Sequence, residues 1–253
     1  MWAVQILDRV DGTRQKLLAH LSEKGVIGLL SHIRTILLHR IHERISQGRD
    51  IYSEVVPTAG KVELSELTIN SANRNMGVHY APTPRLIFEW LHEVFVSDKK
   101  NTAFIDVGAG RGRIVMMAME HPYAQVIGCE FAKELAEEAR QNIASHSQNS
   151  IKARSVEIEH GDATEMNIPE LPCIFFMFNP FGADVMQSFL KNALRSYTAN
   201  PRAMTFVYVN PINDQVFEDQ KMLIEKKLPA FINLKMALFS PYSARIYVTT
   251  GTA

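Results

Sequence analysis

Cysteine is scarce, long apolar runs are missing, and neither sign of charge is in excess; each lack excludes something. The 253 residues hold two cysteines, Cys129 and Cys173, both inside apolar runs that read as strands. They support neither a disulfide framework nor a metal-ligand spacing, so buried free thiols in a reducing compartment are expected. No stretch reaches the about 18 apolar residues of a transmembrane helix. The start, Met1-Trp2-Ala3-Val4-Gln5-Ile6-Leu7-Asp8, is too short and too soon charged for a secretory signal. With 27 basic and 27 acidic side chains there is no global field to gather nucleic acid or anionic lipid. Internal repeats and low-complexity tracts are also lacking. A cytoplasmic protein of one large or two small domains is the expectation.

What the chain does have is a dense stretch from 103 to 131. Ala103-Phe104-Ile105-Asp106-Val107 reads as a buried strand, Gly108-Ala109-Gly110-Arg111-Gly112 as a glycine-rich turn, and Arg113 to Glu120 as a helix. After His121-Pro122 a second apolar run, Ala124 to Cys129, ends on Glu130. Strand, glycine loop, helix, strand and acid make half of a nucleotide-binding α/β unit. Glycine lets a ligand lie against main chain where a Cβ would clash. The loop runs into a helix N-terminus, whose unpaired N–H groups point outward. Glu130, 18 residues past Gly112, can accept two hydrogen bonds from a ribose diol, and roughly 20 is the usual spacing for that acid. The dinucleotide pattern wants glycine at 113, where Arg113 stands, and Asp106 suits a cationic ligand better than a pyrophosphate.

Asp106-Val107-Gly108-Ala109-Gly110-Arg111-Gly112 resembles motif I of the class I S-adenosylmethionine-dependent methyltransferases, acid-x-Gly-x-Gly-x-Gly. The resemblance spans about residues 80 to 250. It implies S-adenosyl-L-methionine as cofactor, bound by Asp106, Gly108, Ala109, Gly110, Gly112, Glu130 and Phe131. Within the family the chain looks most like bacterial members with Asp-Val-Gly-x-Gly-x-Gly-Arg and Phe-Asn-Pro-Phe motifs. It is more distantly similar to lysine methyltransferases of the histone-core type.

The following segments extend the pattern. Residues 155–159 alternate as a third strand, followed by His160-Gly161-Asp162-Ala163. By the resemblance Asp162 receives the adenine amino group and Ala163 packs on the ring. Cys173-Ile174-Phe175-Phe176-Met177-Phe178 is a continuous apolar run, as a central parallel strand should be. It ends in Asn179-Pro180-Phe181-Gly182, at the strand edge where open parallel sheets bind ligands. This resembles the Asn-Pro-Pro-Tyr motif of amino-group methyltransferases. The likeness implies that Asn179 contacts the cofactor and orients the acceptor, with Pro180 and Phe181 against the substrate. One proline followed by Phe181-Gly182 departs from that motif and weakens a nucleobase reading. Upstream, Val78-His79-Tyr80-Ala81-Pro82-Thr83-Pro84 is held extended by its prolines. It resembles the entrance of certain lysine methyltransferases, which implies a catalytic Tyr80 and a cofactor-contacting Thr83. A helix 85–96 follows, with Thr83 as N-cap and Pro84 at its first position.

Helices are expected at 131–143, 183–196 and 213–227. Strands are expected at 103–107, 125–130, 155–159, 173–178, 203–209, 231–238 and 244–249, the last two as a closing hairpin. The fold class is therefore α/β: a Rossmann-like, seven-stranded, mostly parallel sheet with helices on both faces and a closing antiparallel hairpin.

Residues 1–78 read as an N-terminal helical extension and strap, and 79–253 as the S-adenosylmethionine-binding domain. Helices are expected at 12–24 and 25–47. In the second, Val26, Leu30, Ile33, Leu37, Ile41 and Ile45 recur at helical steps, and five cations face one acid, Glu43, between Lys24 and Arg49. Such a stripe packs on the main domain or on a second subunit, as in a homodimer. The alternative is a basic amphipathic helix resting on a membrane or an anionic partner. His32, His39 and His42 read as partly exposed helix residues. Residues 50–78 read as a strap packed on the core.

The functional expectation is methyl transfer to an acceptor in a protein or small molecule, an amine or hydroxyl being favoured over a nucleobase or RNA. The alternatives are a non-catalytic methyltransferase-like binding module and, against Arg113, an NAD-dependent oxidoreductase.

Overall fold

The computed structural model describes residues 26–27, 30–42, 44–45, 83–92, 94 and 98–251. Tyr80, the helix expected at 12–24 and the strap at 50–78 lie outside the described residues. Residues 30–42 are helical (α1). In order there follow α2 (Arg85–His92), β1 (Ala103–Val107), α3 (Arg113–Met119), β2 (Gln125–Glu130), α4 (Lys133–Ala144), β3 (Val156–His160), β4 (Cys173–Phe178), α5 (Ala183–Ala199), β5 (Met204–Val209), α6 (Gln215–Glu218), β6 (Leu223–Glu225), α7 (Ala230–Phe239) and β7 (Ala244–Thr249).

The strands form one sheet in the order β3-β2-β1-β4-β5-β7-β6. The first five run parallel, and β7 is antiparallel to both β5 and β6. The order reverses between β1 and β4, which puts a crevice at the carboxyl ends of those strands. Successive side chains of β4 point to opposite faces. Ile174 and Phe176 join the core under α2, α3, α4 and α7, while Cys173, Phe175 and Met177 join the core under α5 and α6. Phe175 stacks on Phe206 of β5 with ring centroids 4.8 Å apart. Burial on both faces is why β4 is an unbroken apolar run.

Two expected elements change type. Residues 231–238, read as a strand, lie within the helix α7. The run holds good helix formers (Ala, Leu, Met, Lys) behind Pro229, and at ten residues it is long for a strand; an apolar run of this kind has no period to tell the two apart. The expected helix 213–227 is the single turn α6 followed by strand β6. Pairing of Leu223, Ile224 and Glu225 with Thr249, Val248 and Tyr247 of β7 overrides the local preference. The closing antiparallel pair is thus β6 with β7, joined through α7. Smaller shifts are of boundary kind: β3 begins at Val156, and α2 begins at Arg85 and ends at His92. The Pro84 carbonyl accepts the first helical N–H groups, from Ile87 and Phe88, so Pro84 and Thr83 stand one position earlier than expected.

The N-terminal stripe also differs. α1 meets the domain through Leu38 and His42, which are buried, whereas Val26, Leu30, Ile33, Leu37 and Ile41 are exposed. His42 Nδ1–H donates to the Phe239 carbonyl at 3.0 Å, so this histidine is a docking residue of the helix. Cys129 and Cys173 are buried free thiols as expected.

Candidate functional site

The glycine loop leaves β1 with three residues in left-handed conformation, Gly108 at φ 81°, Gly110 at 53° and Gly112 at 79°. At Gly108 a second constraint applies: a Cβ there would lie 2.7 Å from Cβ of Pro180. The loop after β1 and the Asn-Pro corner after β4 therefore touch, and only hydrogen fits between them. From below, α4 fixes the loop. Asn142 Nδ2 donates to the Arg111 carbonyl at 2.9 Å, and the Arg111 guanidinium pairs with Glu138 at 2.7 Å.

Glu130 ends β2 with its carboxylate turned back over this loop. Oε2 accepts from Gly110 N–H at 2.7 Å and Oε1 from Ala132 N–H at 2.9 Å. A carboxylate has about four lone-pair positions, so acceptor capacity remains for a ligand hydroxyl. Burial pushes the Glu130 carboxyl up to about 7, and the N–H groups of Ala132, Gly110 and Phe131 hold it from rising further. Asp106, 4% exposed near the end of β1, rises well above the ordinary carboxylate range, from burial first and from Glu130 second. Two carboxyls so placed are each costly to ionise alone, and a cation between them relieves both.

Asp162 follows β3. Its Oδ1 accepts from Thr164 N–H at 2.9 Å and Thr164 Oγ1–H at 2.8 Å, an Asx turn that fixes the loop; Ala163 beside it is buried. Asn179 follows β4 directly, at φ 40°, and is 8% exposed. Tyr208 O–H donates to its Oδ1 at 2.8 Å and accepts from Asn213 N–H at 3.3 Å, and Asn213 Nδ2 donates to the Phe181 carbonyl at 3.2 Å. Tyr208 and Asn213 were missed in the sequence. Their signal was positional: Tyr208 pairs with Met177 in the sheet, two residues before Asn179.

Of the sequence-derived residues that are described, Asp106, Gly108, Ala109, Gly110, Gly112, Glu130, Phe131, Asp162, Ala163, Asn179, Pro180 and Phe181 stand at the carboxyl ends of β1, β2, β3 and β4 or on the loops after them, while Tyr80 lies outside the described residues. Two need restating. Thr83 is buried just ahead of α2. Phe181 is 7% exposed, and its ring packs in the core with Val185 and Met186, so it offers no free face for stacking. Arg113, at the first position of α3, is buried too.

Fold and site together define a Rossmann-like ligand-binding domain whose nucleoside-type crevice lies at the carboxyl edge of β1 and β2. Residues 104–205 match the family model of a methyltransferase domain. Over that segment the chain is matched as a methyltransferase domain, for which the sequence resemblance implies S-adenosylmethionine as the cofactor. No curated protein matches the sequence. Among solved structures the chain is similar to an RNA methyltransferase from Salinibacter ruber in complex with S-adenosyl-L-homocysteine, with 21% identity, a TM-score of 0.45, and coverage of 68% of this chain and 94% of that one. It is also similar to a putative RNA methyltransferase from Pyrococcus horikoshii, at 17% identity and TM-score 0.43, covering 74% and 92%. A third is TrmK of M. capricolum with S-adenosyl-homocysteine, at 9% identity and TM-score 0.42, covering 65% and 68%.

The residues present fit the cofactor. The loop has room for main-chain approach, a carboxylate with spare acceptor positions stands where a ribose diol needs one, and two buried carboxyls suit a ligand bearing sulfonium and ammonium charge. Among the described residues no group of three or more potential ligands could hold a metal ion.

Proposed function

We propose that the chain transfers a methyl group to an amine or hydroxyl of a protein or small molecule, in preference to a nucleobase. The domain doing so is residues 79–253, with 1–78 as its helical extension. One observation carries this reading: Asn179, buried at the tip of β4, is held in a left-handed corner by Tyr208 and abuts the glycine loop through Pro180. Bound S-adenosylmethionine supplies a methyl already activated on sulfur. The protein's part is then to bind, orient and keep water out. In this reading Asp106, Gly108, Ala109, Gly110, Gly112, Glu130, Phe131, Asp162, Ala163 and Thr83 line the cofactor. Asn179 and Tyr80 orient the acceptor. Pro180 forms its wall, with Phe181 acting from beneath as support.

Calorimetry with S-adenosyl-homocysteine tests the first half. The wild type binds, and Glu130→Ala loses about 10- to 100-fold in affinity, the worth of hydrogen bonds to a charged group. Unchanged affinity in the variant overturns the assignment. Tritiated-methyl transfer across protein, metabolite and RNA fractions tests the second half. Label in RNA alone overturns the acceptor class, and binding without transfer to any fraction favours a binding module.

A further inference from the structure

We infer that the outward apolar faces of α1 and α7, with the cations beside them, form a docking surface for an anionic lipid bilayer. A surface helix ordinarily keeps its outer face polar. α7, Ala230-Phe231-Ile232-Asn233-Leu234-Lys235-Met236-Ala237-Leu238-Phe239, is apolar nearly all round. Ile232 and Met236 fill the core, yet Leu234 is 59% and Leu238 50% exposed. On α1, Leu30 is 60% and Leu37 52% exposed. The two helices adjoin: Arg34 Nη2 donates to the Ala237 carbonyl at 3.1 Å, beside the His42 bond to Phe239. Single exposed leucines need no explanation, but apolar stripes on two neighbouring helices do.

Charge decides what covers them. Segments 26–45 and 226–239 hold six cations (Arg34, Arg40, Arg44, Lys226, Lys227, Lys235) and one acid, Glu43, in a chain whose 27 basic and 27 acidic side chains balance only as a whole, so the basic excess is concentrated here. A second copy meeting this face through a twofold axis would bring cation against cation. Anionic headgroups meet the cations while the acyl boundary takes the leucines, which is how interfacial helices are held. Among the described residues no helix is long and apolar enough to cross a membrane, so the chain would lie on the bilayer.

The test is co-sedimentation of the full chain with vesicles of phosphatidylcholine alone or with phosphatidylglycerol. Binding is expected to the anionic vesicles, to weaken with added salt, and to fall about fivefold for each exposed cation removed, as in Arg40→Ala. Leu30→Ser/Leu37→Ser and Leu234→Ser/Leu238→Ser remove it while circular dichroism stays native. Absence of binding to anionic vesicles, equal binding to phosphatidylcholine, or indifference to all three variants overturns the proposal. So does a concentration-dependent dimer in sedimentation equilibrium that these leucine variants abolish, because the face is then an interface between copies.

Discussion

The hydrogen bond between Tyr208 and Asn179 does two things at once. It steadies a non-glycine residue at φ 40°, a conformation that costs roughly 1–2 kcal/mol, and it fixes which way the amide faces. Tyr208→Phe should therefore cost stability modestly, about 1 kcal/mol by urea unfolding. S-adenosyl-homocysteine affinity should stay near wild type, and turnover on the acceptor should fall. Gly108→Ala should be worse for the fold, since the new methyl meets Pro180 at 2.7 Å and the backbone stays left-handed. A loss of roughly 2–4 kcal/mol, together with weakened cofactor binding, is expected.

Glu130 carries a pH prediction. With its folded value near 7, the site of the free enzyme is largely protonated at pH 6 and must release that proton to meet a cation as carboxylate. S-adenosylmethionine affinity should rise with pH up to about 7 and level off above it, by at most about tenfold per pH unit for one proton. Calorimetry in buffers of different ionisation enthalpy reads the released proton directly. A flat affinity between pH 5.5 and 7.5 contradicts it.

Among the elements, those whose pattern had only one explanation were readable. β1, β2, β4 and β7 stand at the positions expected, because glycine, proline or an acid lies at or near the carboxyl end of each. α7 was not readable, since an apolar run of ten residues has no period to choose between helix and strand. β6 was not either: three residues become a strand only because β7 arrives from later in the chain to pair with them. The site followed the same rule. Asp106, Glu130, Asp162 and Asn179 could be located because each stands at or just past the carboxyl end of a strand. Tyr208 acts across the sheet on a residue 29 positions away, and adjacency in sequence says nothing of that.

α2 and the turn after α3 meet in another buried polar group, far from the glycine loop. His92 and His121 rings lie 3.9 Å apart, and Tyr123 O–H lies 2.9 Å from His92 Nε2. Burial first, then His121 and Lys99, pull His92 down to about 3, and His121 is lowered as well. Both are neutral in the fold, and unfolding frees them to take protons below 6.5. For His92 that stability is fully present above pH 6.5 and is lost as pH falls toward 3, by up to about 1.4 kcal/mol per pH unit, with His121 acting in the same direction. His92→Gln, which cannot titrate, should flatten that slope in unfolding measured from pH 7 to 4.

The whole molecule has a working end and a holding end. The carboxyl edges of β1 to β4 carry the loops that meet ligand, while the amino edges are tied by groups such as Arg202, which donates to the carbonyls of Leu171, Pro169, Ser196 and Asn200. S-adenosyl-homocysteine at 100 times its dissociation constant should add about 2.7 kcal/mol to global stability. In hydrogen exchange, protection beyond that global gain should be confined to the glycine loop and the turns after β2, β3 and β4.

The place of β7 has a consequence for how the chain is made. β7 fills the slot between β5 and β6, yet it is the last of the seven strands to leave the ribosome. Until residues 244–249 emerge, the apolar edge of β5 has no neighbour on that side, and β6 waits with no partner at all. Synthesis from the amino end can thus assemble the cofactor crevice before the sheet is closed. A nascent chain halted at residue 243 should expose a sticky strand edge and aggregate, although every residue of the glycine loop is already in place.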